Sequence, residues 1–412
     1  MATGNKHFPQ MHPVPGFKLG TASAGIKTPG RQDLVIMELQ PGATVAGVFT
    51  QNAFCAAPVV VAKQHLSVAT PRYLLTNTGN ANAGTGAQGM ADALASCAAL
   101  AELQSVSADQ VLPFSTGVIG EPLPIEKLLA ALPAAVAALD ENTWTEAAAG
   151  ILTTDTRAKG ASLQYQPNSA SAALITITGI TKGSGMIKPN MATMLGYVAT
   201  DAEVDGELLQ RALRLVANKS FNRITVDSDT STNDAVILVA TGASGIVIDE
   251  SNFEAFVAQL AIVFVELAQL IIRDGEGASK FVSVIVDGAL DSAEALKVAY
   301  TVAESPLVKT ALAASDANWG RILAAVGRAG VENLDVSRVS VRLNDVLIVE
   351  AGCRAASYTE AAGEQAMAPD DISIQISLDR GEPGEPGKTV KETIWTTDLT
   401  YEYVRINAEY RT

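Results

Sequence analysis

The chain has 412 residues, enough for two or three domains, and 48% of them are hydrophobic although only 5% are aromatic. A formal net charge of −15 argues against nucleic-acid binding, which requires clustered lysine and arginine. We therefore expect a soluble protein with a large aliphatic core.

Along the first half of the chain, short β-branched runs predict strands with tight turns. These runs are 34–39, 44–50, 58–63 and 73–79. Ala-rich amphipathic patterns at 89–105 and 124–139 predict helices, and Pro133 is expected to divide the second. Another helix is predicted at 141–152, and it leads into the string TTDT (153–156).

The central part of the chain places a Gly-rich loop, 181–190, between two predicted strands at 172–180 and 193–202. Helices are predicted at 205–217 and 251–272. Two further strands are expected between these helices, at 223–227 and 234–241. Although residues 255–272 are strongly apolar, Gln259, Glu266 and Gln269 interrupt them, which favours a buried helix over a membrane span.

A second block of strands and helices begins with FVSVIVDG (281–288). It contains predicted helices at 291–301 and 305–315, a hairpin at 337–352, and strands at 371–378 and 390–400. We therefore predict two domains, 1–283 and 284–412. Because hairpins alternate with segregated helices, α+β layers are favoured over a doubly wound parallel sheet.

Cysteine, histidine and the amino-terminal sequence narrow the class of protein further. The three cysteines lack metal-ligand spacing and the first residues lack the apolar core of a signal peptide, so we expect a reducing, cytoplasmic location. The three histidines, His7, His12 and His65, lie in no motif. A histidine-dependent triad or a His-rich metal site is therefore not expected.

Three segments are rich in groups that can handle an oxyanion, namely 113–120, 181–196 and 273–280. In the second segment, Ala192 precedes Thr193 where the loop leads into a strand. A threonine hydroxyl needs a base, and a free α-amine can serve because its ordinary pKa lies just above neutrality. That amine exists only after cleavage between Ala192 and Thr193. From the residues alone, an ordinary loop with a strand-opening threonine remains the competing interpretation.

The segment KGSGMIKPNMATMLGYVATDA (182–202) resembles the self-cleavage region of the ornithine acetyltransferase family, also called glutamate N-acetyltransferases. Other segments resemble the family in the same order. They are 76–89, 114–120, 151–159, DSDTSTND (227–234), 273–280, 315–330 and 403–412. The resemblance thus extends over nearly the whole chain. One departure is Gly84, where many relatives carry a cysteine.

The resemblance implies roles for individual residues. Thr193 is the nucleophile that follows the cleaved bond at Ala192, and Thr116 and Gly117 supply the oxyanion hole. The implied substrate contacts are Thr156, Lys182, Thr193, Glu276, Asn407 and Thr412, with Thr154 competing with Thr156. By charge, Lys182 suits a substrate carboxylate and Glu276 suits the amine of ornithine.

The resemblance also implies the reaction and the fold. The acetyl group passes from N-acetylornithine to Thr193 and then to glutamate, without a metal or an organic cofactor. Whether acetyl-CoA also serves as an acetyl donor is left open. Two alternative functions also stay open: a hydrolase of the related fold, such as an aminopeptidase or amidase, and an inactive relative. The implied fold is an αββα sandwich, like that of N-terminal nucleophile hydrolases, with a smaller C-terminal αβ domain. The processed chains, 1–192 and 193–412, are expected to assemble as α2β2.

Overall fold

A computed structural model describes residues 3–4, 7–167, 173–188, 194–380 and 390–408. The chain forms two compact units. The larger unit comprises His7–Asn222 and Asp229–Ile271, and the smaller unit comprises Met1–Lys6, Arg223–Ser228 and Ile272–Thr412. The units are thus not divided at the predicted position 283.

The larger unit contains two main sheets. Its strands are β1 (Phe17–Ala22), β2 (Leu34–Leu39), β3 (Thr44–Phe49), β4 (Tyr73–Asn80), β5 (Val111–Val118), β6 (Lys159–Tyr165), β7 (Ile175–Lys182), β8 (Leu195–Thr200), β9 (Glu203–Val204), β11 (Ala235–Ala240) and β12 (Val247–Ile248). One sheet has the order β1-β2-β4-β5 and the other β3-β11-β8-β7-β6, while β9 pairs with β12. In the two main sheets β4 is parallel to β5 and β8 is parallel to β11, and the other pairs are antiparallel, while β9 is parallel to β12.

Helices cover the outer faces of both sheets. They are α1 (Ala57–Val68), α2 (Gly86–Gln104), α3 (Ile125–Ala137), α4 (Trp144–Gly150), α5 (Gly206–Lys219) and α6 (Phe253–Arg273). One core joins the inner faces of the sheets, with Phe114 of β5 packed edge-on against Tyr197 of β8. A second core joins the first sheet to α2 and α3, whereas α5 packs on β3, and Leu267 of α6 lies over Gly179 of β7. The predicted αββα sandwich is confirmed.

In two places, tertiary packing overrides the local pattern. Residues 58–63 were predicted to form a strand, but they lie in α1, where Pro58, Val61 and His65 are buried at helical spacing. Packing of that face outweighs the β preference of valine. Pro133 does not divide α3, because the helix buries an apolar face and proline removes only one hydrogen bond.

Among the described residues, α6 alone has the length and hydropathy of a membrane span. Its side chains Leu260, Phe264, Leu267 and Ile271 are completely buried. The helix therefore packs as a core helix, with its apolar stripe against protein.

The smaller unit is built on one seven-stranded sheet. Its strands are β10 (Ile224–Thr225), β13 (Phe281–Ala289), β14 (Ser340–Leu343), β15 (Val346–Glu350), β16 (Cys353–Arg354), β17 (Asp371–Ser377) and β18 (Val390–Thr397), in the order β10-β18-β13-β17-β14-β15-β16. Its helices are α7 (Ser292–Ala303), α8 (Pro306–Ala313), α9 (Trp319–Gly327), α10 (Glu360–Met367) and α11 (Tyr401–Ala408). The segment 223–228 belongs to this unit because β10 pairs in parallel with β18. Strands β14 and β15 form the hairpin that was predicted about Asn344.

Candidate active site

The string FSTGV (114–118), within the predicted oxyanion-handling segment 113–120, lies inside β5. The strand continues because β5 pairs with β4 as far as Val118, with a register shift opposite Gly79. At Gly117 φ is 139°, and a Cβ there would lie 2.3 Å from the carbonyl carbon of Gly79. Only glycine fits this position, so the backbone at 116–117 follows a path closed to other residues.

The hydroxyl group of Thr116 accepts a hydrogen bond from a lysine ammonium group. Lys182, the last residue of β7, donates from Nζ to Thr116 Oγ1 at 3.3 Å, and Thr116 is only 9% exposed. Because the hydroxyl oxygen accepts this bond, its own proton must point away from Lys182. Among the described residues no acceptor takes that proton, so Thr116 can donate it to a developing oxyanion.

The fully buried carboxylate of Asp155 lies near the ammonium group of Lys182. Asp155 accepts hydrogen bonds from Lys159 Nζ at 2.6 Å and from the backbone N–H of Gly183 at 2.7 Å, and it lies 4.0 Å from Lys182 Nζ. Burial opposes ionisation of Asp155, but the charges of Lys159 and Lys182 hold its pKa well below the usual range. One buried carboxylate therefore faces two lysine ammonium groups.

The predicted TTDT contacts differ in their surroundings. Thr154 Oγ1 lies 2.8 Å from Ser184 Oγ, so Thr154 is hydrogen-bonded to the Gly-rich loop that follows Lys182. Thr156 is exposed. The structure thus brings Thr154 into direct contact with the predicted site loop, and Thr156 was the residue that the resemblance favoured.

Sequence reasoning assigned no role to three residues that the structure brings to the same end of the sandwich. Asp155 lies among the threonines of TTDT, and the available indication of its role was Lys159, a possible charged partner four residues later. Asn233 donates from Nδ2 to the carbonyls of Ala81 at 2.6 Å and Ser115 at 2.8 Å, and it thereby holds β5. Asp234, the next residue, is 3% exposed and immediately precedes β11. Both residues end the quoted string DSDTSTND, whose polar density was the available signal.

In the smaller unit, two predicted substrate contacts touch each other. Asn407 of α11 donates from Nδ2 to Glu276 Oε2 at 2.8 Å, and Glu276 is 9% exposed. At Gly277 φ is 70°, and a Cβ there would lie 2.5 Å from the nitrogen of Tyr403, so glycine allows α11 to approach the DGEGA turn. Thr400 also donates to the carbonyl of Gly277 at 2.7 Å. The C-terminal helix is thus fastened to the turn that carries Glu276.

The remaining predicted site residues, Ala192, Thr193 and Thr412, lie outside the described residues. The description resumes at Met194, immediately before β8. In β8, Leu195 pairs with Lys182 of β7 on one side and with Ala235 of β11 on the other. These register pairs place the last residue of β7 and the first residues of β8 and β11 in one row across the sheet.

Comparison with known proteins identifies the family of this chain. The sequence matches the ArgJ family over residues 18–412. It is 58% identical over 416 residues to the arginine biosynthesis bifunctional protein ArgJ of Pseudomonas fluorescens, with 100% of each chain covered. The protein of the same name from Methylococcus capsulatus is 53% identical over 403 residues, which cover 97% of this chain and 96% of the relative.

Two solved structures also match parts of the chain. The crystal structure of the arginine biosynthesis bifunctional protein ArgJ from Bacillus halodurans is 37% identical, covers 52% of this chain and 99% of its own, and has a TM-score of 0.49. The ornithine acetyltransferase of Mycobacterium tuberculosis, solved in complex with ornithine, is 34% identical, covers 44% of this chain and 94% of its own, and has a TM-score of 0.37.

Proposed function

This chain belongs to the ArgJ family and is an acetyltransferase of arginine biosynthesis; we propose that it moves an acetyl group from N-acetylornithine to glutamate through Thr193. The observation that carries this proposal is the hydroxyl group of Thr116, which accepts a hydrogen bond from Lys182 and thereby directs its own proton outward. Beside it, the backbone N–H of Gly117 is the second donor of the oxyanion hole.

The first step that we propose is cleavage of the chain before Thr193. The hydroxyl oxygen of Thr193 attacks the carbonyl carbon of Ala192, and the peptide C–N bond breaks to give an ester and a free amine. Water then hydrolyses the ester and restores the hydroxyl group. The amine becomes the general base for the nucleophile, which fits a chain that has three histidines and none of them in a motif.

The acetyl-transfer cycle then has two halves. Thr193 attacks the acetyl carbonyl of N-acetylornithine, the oxyanion is stabilised by Thr116 and Gly117, and ornithine leaves with a proton returned by the Thr193 amine. Glutamate next attacks the acetyl ester and leaves as N-acetylglutamate. No metal or organic cofactor takes part in either half.

Substrate recognition is proposed to follow charge. Lys182 binds an α-carboxylate, with Asp155 setting its position, and Thr154 or Thr156 contributes a hydroxyl group. Glu276 meets the cationic amine of ornithine, while Asn407 orients the Glu276 carboxylate through the hydrogen bond that joins them.

Thr412 is a further proposed contact. Trimming the last few residues should therefore abolish turnover without unfolding the chain, and normal activity after trimming would contradict this role.

We further propose that the fragments 1–192 and 193–412 assemble as α2β2 in the cytoplasm, and that acetyl-CoA is a second acetyl donor. The proposed use of acetyl-CoA has a separate test: an assay with glutamate and acetyl-CoA as the sole acetyl donor must release free CoA. Absence of CoA release would remove this activity and leave the ornithine-dependent cycle intact.

The decisive experiment combines a denaturing mass measurement with a transfer assay. We expect fragments of residues 1–192 and 193–412 from the wild type, one intact chain from Thr193→Ala, and acetylation of glutamate when N-acetylornithine is supplied. Accumulation of free acetate in place of N-acetylglutamate would identify a hydrolase. A fully active wild-type chain that stays in one piece would refute the mechanism.

A further inference from the structure

The side-chain amide of Asn233 joins two stretches of backbone on either side of the proposed oxyanion hole. Its Nδ2 donates to the carbonyl of Ser115 at 2.8 Å and to the carbonyl of Ala81 at 2.6 Å, and the residue is only 5% exposed. Its Oδ1 accepts a hydrogen bond from Thr232 Oγ1 at 2.5 Å. Because two carbonyls accept from Asn233, the NH2 end of its amide must face them. Both N–H groups of this amide are therefore used to hold backbone.

The two carbonyls lie on opposite sides of Thr116 and Gly117. Ser115 directly precedes Thr116 and, because the peptide unit is planar, the hydrogen bond to its carbonyl also fixes the plane of the Thr116 nitrogen. On the other side, the backbone N–H of Ala81 donates at 2.9 Å to the carbonyl of Val118, the residue after Gly117. Asn233 thus restrains the backbone at both ends of the pair that carries the two proposed oxyanion donors.

Gly117 makes such a restraint necessary. A glycine has no Cβ to limit its backbone conformation, so the direction of its N–H must be set by the groups that hold its neighbours. The φ of 139° at Gly117 lies in a region that other residues rarely adopt. We therefore expect the orientation of this N–H to depend on the hydrogen bonds on either side of it.

Asn233 also connects the two chains that the proposed cleavage would produce. It lies in 193–412, and both carbonyls that it binds lie in 1–192. Two residues later, the backbone N–H of Ala235 donates at 3.0 Å to the carbonyl of Met194, immediately before β8. This short segment is thus bonded to β5 through the Asn233 side chain and to the start of β8 through its backbone.

We propose that Asn233 is a positioning residue for acetyl transfer, whose amide holds β5 so that the Thr116 hydroxyl and the Gly117 N–H point at the oxyanion. This inference rests on the proposed function, which assigns those two donors. Asn233 acts through the donors and takes no part in making or breaking bonds. An oxyanion hole works only when its donors are already oriented, and a displacement of about 1 Å can lower a rate by about 100-fold. Loss of the Asn233 amide should therefore reduce kcat and leave substrate binding almost unchanged.

The test compares Asn233→Leu with Gln40→Met in the transfer of acetyl from N-acetylornithine to glutamate, with rates normalised to the cleaved fraction. Leucine has nearly the shape of asparagine, and methionine that of glutamine, but neither carries an amide. Gln40 is the matched control because its Nε2 donates between the same two chains, to the carbonyl of Thr241 beyond the opposite end of β11. The two variants thus remove the same kind of interaction at opposite ends of one strand.

We expect Asn233→Leu to lower kcat by about 10–100-fold with KM within about threefold of the wild type, and Gln40→Met to leave both within about threefold. A kcat for Asn233→Leu within about threefold of the wild type would overturn the inference. If Asn233→Leu does not fold or is not cleaved, Asn233→Asp replaces it, because a carboxyl group keeps the acceptor for Thr232 but can donate to one carbonyl at most. That variant should lose about tenfold or more in kcat, and a loss below about threefold would likewise overturn the inference.

A double variant distinguishes positioning of the donors from a general loss of structure. If Asn233 acts through the Thr116 hydroxyl, Thr116→Val has already removed part of what Asn233→Leu would disturb. The loss of kcat in the double variant should then be smaller than the product of the two single losses. Losses that simply multiply would place the effect of Asn233 elsewhere and overturn the inference.

The same measurements separate this inference from the proposed function. If Thr116→Val and Asn233→Leu both transfer acetyl at the wild-type rate, the oxyanion hole assigned to Thr116 and Gly117 is wrong. If only Thr116→Val is slow, the oxyanion hole stands and only the role of Asn233 is removed.

Discussion

Replacing Thr116 by valine isolates one hydrogen-bond donor of the proposed oxyanion hole. Valine has nearly the same shape, and the hydroxyl group is involved in one long hydrogen bond, 3.3 Å from Lys182 Nζ, so stability should fall by only about 1 kcal/mol. Loss of an oxyanion donor raises the barrier by about 2.7–4 kcal/mol, which corresponds to a drop of about 10²–10³-fold in kcat. The effects on stability and on rate are therefore expected to differ widely.

The assay measures acetyl transfer from N-acetylornithine to glutamate, with rates normalised to the cleaved fraction of each preparation. Thr116→Ser retains the hydroxyl group and is expected to stay within about tenfold of the wild type. Thermal unfolding of the same samples checks that the fold is preserved. If Thr116→Val transfers acetyl within about threefold of the wild type, the hydroxyl group does not stabilise the oxyanion and the reasoning from the Lys182 hydrogen bond is refuted.

Three further predictions concern packing and buried charge. Gly117→Ala should destabilise the chain by about 2–5 kcal/mol and abolish transfer, because its Cβ would lie 2.3 Å from backbone, whereas Gly120→Ala, also at positive φ but in open space, should cost about 1–2 kcal/mol. Asp155→Asn should cost about 3–5 kcal/mol in a denaturant titration, because fully buried Lys159 loses the carboxylate that lies 2.6 Å away. Burial lowers the pKa of Lys309 to about 8, so the unfolded chain binds more protons than the folded chain between about pH 8 and 10, and stability from this group rises with pH. Between about pH 7.5 and 9.5, the wild type should gain about 1–2 kcal/mol relative to Lys309→Met.

Each of these predictions has an outcome that contradicts it. Equal melting temperatures for Gly117→Ala and Gly120→Ala would show that the close approach of Gly79 imposes no constraint. An Asp155→Asn chain as stable as the wild type would mean that the two buried lysines do not depend on this carboxylate. A wild type that loses stability relative to Lys309→Met as the pH rises would reverse the assigned direction of the lysine pKa shift.

Much of the fold was accessible from local patterns. The strands β2, β4, β7, β8, β11, β13, β17 and β18 and the helices α2, α5, α6, α7 and α8 occur where β-branched runs or amphipathic periodicity predicted them. The family assignment came from segments spread along the whole chain, and the comparisons confirm it over residues 18–412. The residue roles carried over with that resemblance, such as those of Thr116 and Glu276, stay predictions.

Other features depended on contacts between residues far apart in the sequence. The Val-rich run at 58–63 is a helix because its burial repeats with helical spacing, which no propensity scale contains. Segment 223–228 belongs with the C-terminal unit because β10 pairs with β18, some 170 residues later.

The sequence by itself determined the aliphatic composition and most elements, because these depend on residue type and near-neighbour spacing. The candidate nucleophile came from the resemblance of whole segments to a known family. Only the tertiary structure decided that Asp155 holds Lys182, that Lys182 orients the Thr116 hydroxyl, and that Asp234 lies beside Met194. Those contacts join separate strands and loops. Their energies and pKa shifts arise from burial and from charges a few ångströms apart in space, and linear order along the chain does not encode such distances.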